Sequence, residues 1–192
     1  MKNHLIISLL FLFVGCSTVQ KEYDINNLYE TDGLYIEKFS EDNVTGIIYR
    51  MYGKKKVTIG QMKDGIKEGE WIDWYENGQK SFEKTYKYGK IDGLTIGWYQ
   101  NGQKKEEGSF KDGKKDGLDT FWFENGQKKW SGYYTDGKKD GLWISWYKNG
   151  QKDSEGYFKD GKEIDKMCWD EDGNECDSQH IPHIIIHHIL SH

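Results

Sequence analysis

Short runs of aromatic and branched residues alternate with glycine-containing polar turns along most of the chain. In segment 141–165, residues 142–147 form one such run, Lys148-Asn149-Gly150 follows as a turn, and residues 153–159 form a second run. Aromatic and β-branched residues favour strands. Asn-Gly or Asp-Gly between two such runs predicts a tight hairpin turn. The segment is therefore predicted to be a β-hairpin.

The same pattern recurs every 24 residues. The motif Asn-Gly-Gln-Lys stands at 77–80, 101–104, 125–128 and 149–152, and two further glycine series keep the same step. Small slips of phase at both ends extend the array to about six hairpins. The predicted turn glycines are Gly53, Gly78, Gly102, Gly126, Gly150 and Gly173. The sequence therefore predicts an all-β array of tandem hairpins, with residues 34–39 as a capping strand.

Side-chain parity divides each strand between two faces. Leu94, Ile96 and Trp98 alternate with smaller or polar residues, and we expect this column to face the core. The tryptophans that repeat in it are Trp74, Trp98, Trp122 and Trp146. With a three-residue turn such as residues 76–78, a second ladder on the return strands is predicted to share that face; a two-residue turn would place it on the other face. Its members are Tyr86, Phe110, Tyr134 and Phe158.

A row of aromatic residues is predicted on the opposite face, as a candidate binding surface. Its members are Trp71, Tyr75, Tyr99, Phe123, Trp143 and Tyr147. Exposed rings in a row could stack on sugar rings or hold a peptide partner. The favoured alternative is that they cover the second face of a thin sheet, which has nothing else to pack against.

The first sixteen residues have the pattern of an export signal. A short charged start precedes the apolar run 5–14, which is too short to span a bilayer. Residues 13–16, Phe-Val-Gly-Cys, resemble the lipobox of bacterial lipoproteins. The resemblance implies a signal peptide at 1–15 and a lipidated Cys16 that anchors the protein in the cell envelope, in the outer membrane where the host has two membranes. An ordinary cleaved signal is the alternative.

The remaining boundaries follow from composition. Residues 16–32 are predicted to be a polar linker, residues 33–176 the repeat array with its N-terminal capping strand and a degenerate last hairpin, and residues 177–192 a disordered tail rich in His and Ile. Acids and bases are finely mixed at a formal net charge of −5. A mixed, acidic surface argues against nucleic acid as a partner.

The repeat motifs carry a family resemblance. Residues 74–80, Trp-Tyr-Glu-Asn-Gly-Gln-Lys, and residues 108–118 resemble the MORN-repeat variant of bacterial proteins, often grouped with YwqK-type antitoxins. The resemblance covers about residues 46–175. It implies an elongated, twisted single sheet of stacked hairpins and a role in protein or surface binding. An antitoxin normally meets its toxin in the cytoplasm, whereas the lipobox implies export.

Residues outside the period offer three further hypotheses. Cys168 and Cys176 flank a predicted three-residue loop and would lie opposite each other, as a disulfide requires. His180 and His183 complete a possible zinc set with these cysteines, but oxidation of an exported pair is favoured. Repeated Asp-Gly pairs could hold calcium, yet their lysine neighbours would repel a cation. We therefore predict a disulfide and neither a metal nor a cofactor.

Motifs for catalysis are missing from the sequence: it contains no Gly-x-Ser-x-Gly, phosphate-binding glycine loop or His-Glu-x-x-His. The leading hypothesis is an exported, lipid-anchored, non-catalytic scaffold that binds a protein or an envelope polymer. The alternatives are an antitoxin or immunity-type inhibitor that binds a partner toxin, and a carbohydrate-binding surface lipoprotein.

Overall fold

The computed structural model describes residues 20–40 and 42–176. The predicted signal peptide, Cys16 and the tail 177–192 lie outside these residues. Apart from one 3-10 turn at Ile25–Asn27, the regular secondary structure of the described residues is β-strand. The strands are β1 (Glu22–Asp24), β2 (Leu28–Thr31), β3 (Leu34–Glu37), β4 (Gly46–Tyr52), β5 (Lys55–Lys63), β6 (Ile66–Trp74), β7 (Lys80–Lys87), β8 (Lys90–Trp98), β9 (Lys104–Lys111), β10 (Lys114–Trp122), β11 (Lys128–Thr135), β12 (Lys138–Trp146), β13 (Lys152–Lys159) and β14 (Lys162–Cys168).

Twelve strands form one open, twisted sheet in the order β1-β4-β5-β6-β7-β8-β9-β10-β11-β12-β13-β14. From β4 onward every strand pairs antiparallel with its neighbour in sequence, as expected of hairpins joined by short turns. The predicted all-β sheet of tandem hairpins is confirmed. In the described part of the chain, no helix has the length and apolar character needed to cross a bilayer.

Part of the segment predicted as a polar linker is folded. β1 pairs in parallel with β4, and β2 pairs with β3 in a separate hairpin. Leu28 is buried with Val44 and Ile48 in a core cluster at the N-terminal end of the sheet. The linker prediction for 16–32 is therefore wrong from Glu22 onward, because a few apolar residues in this polar stretch bury themselves against the first hairpin.

A recurring β-bulge sets the faces of the return strands. Asp73 pairs with Phe82 and Trp74 pairs with Lys80, so Ser81 is an extra residue in β7. The same shift follows Gly97, Phe121 and Ser145. An extra residue reverses the side-chain parity of one strand relative to the other. The second ladder, which begins at Tyr86, therefore lies opposite the Trp74 column, and the prediction that they share a face is wrong.

The more buried face is the one that carries Trp71, and we call it the inner face. The central residue of each outgoing strand on this face is less than a tenth exposed; these are Trp71, Thr95, Asp119 and Trp143. On the other side, the outer face, Leu94, Leu118 and Leu142 are 46%, 46% and 41% exposed. The prediction that the leucine and tryptophan column faces the core is therefore wrong.

Glycines explain why the inner face is the buried one. Trp143 lies between Gly132 and Gly156 on the neighbouring strands, and the Trp71 ring covers Gly60. A flat ring can lie directly on backbone where no Cβ stands, so these indoles are buried although the sheet has a single layer.

Candidate binding face

The tyrosines of the predicted binding surface tie neighbouring repeats together. Each hydroxyl donates a hydrogen bond to the backbone carbonyl of the tryptophan one repeat further on. The pairs are Tyr75 to Trp98 at 2.7 Å, Tyr99 to Trp122 at 2.6 Å and Tyr147 to Trp169 at 2.9 Å. Phe123 occupies the same position without a hydroxyl. The three tyrosines therefore have a structural role, which is to connect one repeat to the next.

The Asn-Gly-Gln-Lys motif also makes contacts between repeats. Asn77 accepts the Gln79 N–H through Oδ1 and donates through Nδ2 to the Gln100 carbonyl in the next turn. Lys80 Nζ lies 5.6 Å from the centroid of the Trp98 ring, a cation–π distance. The asparagine pair of bonds recurs at Asn101, Asn125 and Asn149. Residues that bind a ligand specific to this protein are therefore expected at positions that differ between repeats.

Trp71 and Trp143 are not part of an exposed row. They are 8% and 9% exposed, and their indole N–H groups donate to the carbonyls of Gln61 and Tyr133 at 3.2 and 3.0 Å. Their burial agrees with the favoured alternative, in which these rings cover one face of a thin sheet, although that face was predicted to lie opposite the core. A role of the six residues in binding stays a prediction.

On the inner face, two lysines three repeats apart each lie against a pair of aromatic rings, and we call each such cluster a cage. In the first cage, Lys67 Nζ lies 4.6 Å from the Trp71 ring centroid and 5.3 Å from that of Tyr86. In the second cage, Lys139 Nζ lies 3.9 Å from Trp143 and 4.7 Å from Phe158. The two ring pairs have nearly the same geometry, with centroids 6.1 Å apart in both and interplanar angles of 70° and 68°.

The intermediate repeats do not build such a cage. Ile91 and Thr95 stand at the lysine and tryptophan positions of one repeat. In the next repeat Lys115 lies 5.1 Å from the Tyr134 ring and 5.7 Å from the Trp130 ring, but Asp119 replaces the caging tryptophan and forms an ion pair with the lysine. The cages are therefore features of two particular repeats and are not part of the general framework.

The second cage opens into a cleft of about 370 Å³. Trp130 stacks on Trp143 with ring centroids 5.2 Å apart, and Phe121 stacks on the far side of Trp130 at 5.8 Å. Tyr134, Phe158, Glu163 and Lys166 also line it. A half-open cleft with several aromatic rings and a few charges suits a ligand that is partly apolar.

Burial governs the electrostatics of both cages. It lowers the pKa of Lys67 and of Lys139, because a partly desolvated ammonium is less stable in its charged form. The carboxylate of Glu163 opposes this fall at Lys139. Burial also raises the pKa of Tyr134 in the cleft. Carboxylates nearby should therefore stabilise the lysine charges.

The cysteine pair lies at the opposite end of the sheet from the N-terminal core. The structure records a disulfide between Cys168 and Cys176, whose Cα atoms are 5.5 Å apart. The Cys176 N–H donates to the Cys168 carbonyl across a last, short hairpin, in which Trp169 is bridged to Glu175. His180, His183 and the rest of the histidine tail lie outside the described residues, so the zinc hypothesis is untested.

The repeated aspartates have partners within the framework. Asp112 and Asp136 occupy the first position of Asp-Gly turns with φ near +50°. Their backbone N–H groups donate to the carboxylates of Asp92 and Asp116 at 3.1 and 3.3 Å. Among residues 20–40 and 42–176, no group of three or more potential metal ligands comes together.

The residues that line the cleft were mostly missed from the sequence. Trp130 is the only tryptophan at its repeat position, where the other copies have Phe82, Glu106 and Ser154. A departure of this kind from the period was a usable signal. Lys139 gave a second one, since a lysine four residues before a tryptophan at this position recurs only at Lys67 and Lys139.

Comparison with known families gives one match. Residues 67–88, 91–112 and 139–160 match the model of the MORN repeat variant, and each match covers one hairpin of the array. The search of curated proteins found no match. The repeat at 115–136, which carries Asp119 and Trp130, keeps the period but falls outside the matched segments.

Proposed function

We propose that this MORN-repeat protein is a non-catalytic scaffold, exported and lipid-anchored through Cys16, which binds a partner protein on the inner face of its sheet. MORN repeats are generally protein- or membrane-binding modules. The lipid anchor at Cys16 and the binding of a protein on the inner face go beyond this general property of the repeats.

The cleft beside the second cage is the observation that carries the proposal. It brings Trp130, Tyr134 and Phe158 together with Lys139, whereas the contacts that recur in every repeat hold the array together. Aromatic residues beside a few charges are typical of the energetically dominant part of a protein interface. The carbohydrate alternative has less support, because Trp143, on which a sugar would stack, is buried.

Anchoring rests on the sequence pattern that ends at Cys16. Two or more acyl chains on one cysteine hold a protein firmly at a bilayer, and a single chain holds it only marginally. An anchored array would stay at the membrane surface, where partners of the envelope are concentrated.

Site-specific photo-crosslinking in the native host tests the binding face. A photoreactive phenylalanine replaces Tyr134, which lines the cleft, or Tyr133, its neighbour on the outer face, which is 51% exposed. We expect a discrete adduct with one protein from position 134 and none from position 133. Equal adducts from both positions, or none from position 134, would contradict binding on the inner face.

Metabolic labelling with a palmitate analogue tests the anchor separately. The chain should be labelled and should sediment with membranes, and Cys16→Ala should lose both properties. Unchanged labelling in Cys16→Ala would show that the lipid is not on this residue. A soluble, unlabelled parent chain would overturn the anchor and leave the scaffold proposal standing.

A further inference from the structure

The first cage already has an occupant within the chain. Tyr35, on β3, adds a third ring to it, with its centroid 5.3 Å from Lys67 Nζ. The Tyr35 N–H donates to the Gly65 carbonyl at 2.8 Å, which fixes the hairpin of β2 and β3 against the inner face. The ammonium of Lys67 is thus surrounded by three rings, those of Trp71, Tyr86 and Tyr35.

A carboxylate accompanies the third ring. Glu30 is the cross-strand partner of Tyr35, so both side chains emerge on the same side of the hairpin. Burial and the hydrogen bond to Glu30 raise the pKa of Tyr35 to about 12. The charge of Glu30 also opposes the burial-driven fall in the pKa of Lys67. The hairpin therefore supplies a ring and a negative charge together.

The second cage lacks a third ring around its lysine, and its one carboxylate, Glu163, is outnumbered by cations. Within the described part of the chain, Lys139 faces only the rings of Trp143 and Phe158 and forms no ion pair. Two cations, Lys139 and Lys166, stand beside one carboxylate, Glu163. The charges that line the cleft would therefore attract a carboxylate and repel a cationic ligand.

We propose that the second cage binds a segment of a partner protein that presents an aromatic ring beside a carboxylate, as the Tyr35–Glu30 pair does at the first cage. This inference rests on the proposed scaffold function and specifies the chemistry of the partner at the cleft. The ring would complete the surround of Lys139, and the carboxylate would neutralise the excess positive charge.

The chain's own hairpin cannot fill both cages at once. The outgoing strands β6 and β12 are six strand positions apart, which is about 29 Å at the usual spacing of about 4.8 Å between strands. The hairpin is also held at the first cage, because Tyr35 and Val44 both bond to Gly65 there. An occupant of the second cage must therefore be something other than the hairpin of β2 and β3.

A peptide with the sequence of residues 28–37, closed into a ring, is a direct probe of the second cage. It is titrated calorimetrically into the full chain held in detergent. We expect saturable binding that weakens about tenfold in Lys139→Gln, a loss of the size expected for a cation–π contact and a partly buried charge together. Lys138→Gln makes the same charge change one residue away, on an exposed side chain, and should bind like the parent.

Variants of the peptide test the two elements separately. The change Tyr35→Ala and the change Glu30→Gln should each weaken binding of the peptide. Absence of binding by the parent peptide would overturn the inference, and so would equal binding to Lys139→Gln and the parent chain. If Lys139→Gln does not fold, Lys166→Gln, on the exposed strand β14, replaces it with the same expected direction.

The outcomes separate this inference from the scaffold proposal. Peptide binding that depends on Lys139, without a crosslink from position 134 in the host, would support the recognition chemistry and contradict the scaffold function. A crosslink from position 134 without peptide binding would do the reverse. Concentration-dependent dimerisation that Lys139→Gln abolishes would identify a second copy of the chain as the occupant and overturn a separate partner protein.

Discussion

The indole ring of Trp143, in the middle of β12, lies over Gly132 of the neighbouring strand on the inner face. A Cβ built on Gly132 would come closer than 3.0 Å to three atoms of that ring, a separation that side-chain carbons do not adopt. The glycine has no positive φ here, so its role is steric. The pair shows how a single-layer sheet buries a tryptophan, by removing the side chain beneath it.

The change Gly132→Ala should therefore destabilise the protein. Overpacking of this kind costs about 1–3 kcal/mol, because the ring or the strand must move. Urea unfolding followed by tryptophan fluorescence measures the loss. In a Trp143→Ala background the same change should cost much less, and an equal cost in both backgrounds would show that the ring is not the cause.

The change Phe123→Tyr should stabilise the array. Tyr75, Tyr99 and Tyr147 each donate a hydrogen bond to the carbonyl one repeat further on, and Phe123 leaves the Trp146 carbonyl without it. The added bond should contribute about 1 kcal/mol, the usual net value of such a bond. The reverse change Tyr99→Phe is the control and should lose a similar amount in the same urea experiment. A gain in both variants would show that the hydroxyl is not responsible.

Tyr88 occupies a backbone conformation that its side chain disfavours. Its φ is +50°, as at Asp112, Asp136 and Asp160 in the equivalent turns, where aspartate tolerates the left-handed region. The change Tyr88→Asp should raise the free energy of unfolding by about 1 kcal/mol. The change Asp112→Tyr should lower it by a similar amount, and thermal unfolding of the two variants beside the parent compares them directly.

The hairpin array could be predicted from the sequence because its turns are marked by Asn-Gly and Asp-Gly at a constant period. The face of the second ladder could not, because the extra residue Ser81 in the bulge has no residue type that distinguishes it from an ordinary strand position. The pairing of β1 with β4 was missed for a similar reason: its apolar content is too low to stand out from a linker. The bulge depends on the register within one hairpin, and the pairing of β1 with β4 depends on contacts between segments that are far apart in sequence.

The site was hidden by the repeat itself. The residues that recur every 24 positions include Tyr75, Tyr99 and Tyr147, whose hydroxyls donate hydrogen bonds to backbone carbonyls of the next repeat. The cages recur at three times that interval, at Lys67 and Lys139, and Trp130 does not recur at all. In an array of this kind, residues that depart from the repeat period are therefore the better guide to a binding site.

The disulfide at the end of the array should protect β14 from fraying. Cys168 and Cys176 close a loop with a sequence separation of 8, for which the entropic contribution is about 2.5 kcal/mol. Hydrogen exchange of the β14 amides should accelerate when a reductant is added, while exchange in β8 and β9 stays unchanged. In Cys176→Ser the β14 amides should exchange rapidly with or without reductant. Slow exchange in that variant would show that the bridge is not needed.

Alkaline pH should release the hairpin of β2 and β3 through Tyr35. Its pKa is raised from 10.0 to about 12 in the folded protein, so folding favours the neutral hydroxyl. The stabilisation is fully present below pH 10 and is lost as the pH rises through 12, since the unfolded chain releases the proton first. Lysines titrate in the same range, so the measured quantity is the difference in urea midpoint between the parent and Tyr35→Phe. That difference should change steadily in favour of Tyr35→Phe between pH 10 and pH 12, and a constant difference across this window would contradict the role given to the Tyr35 hydroxyl.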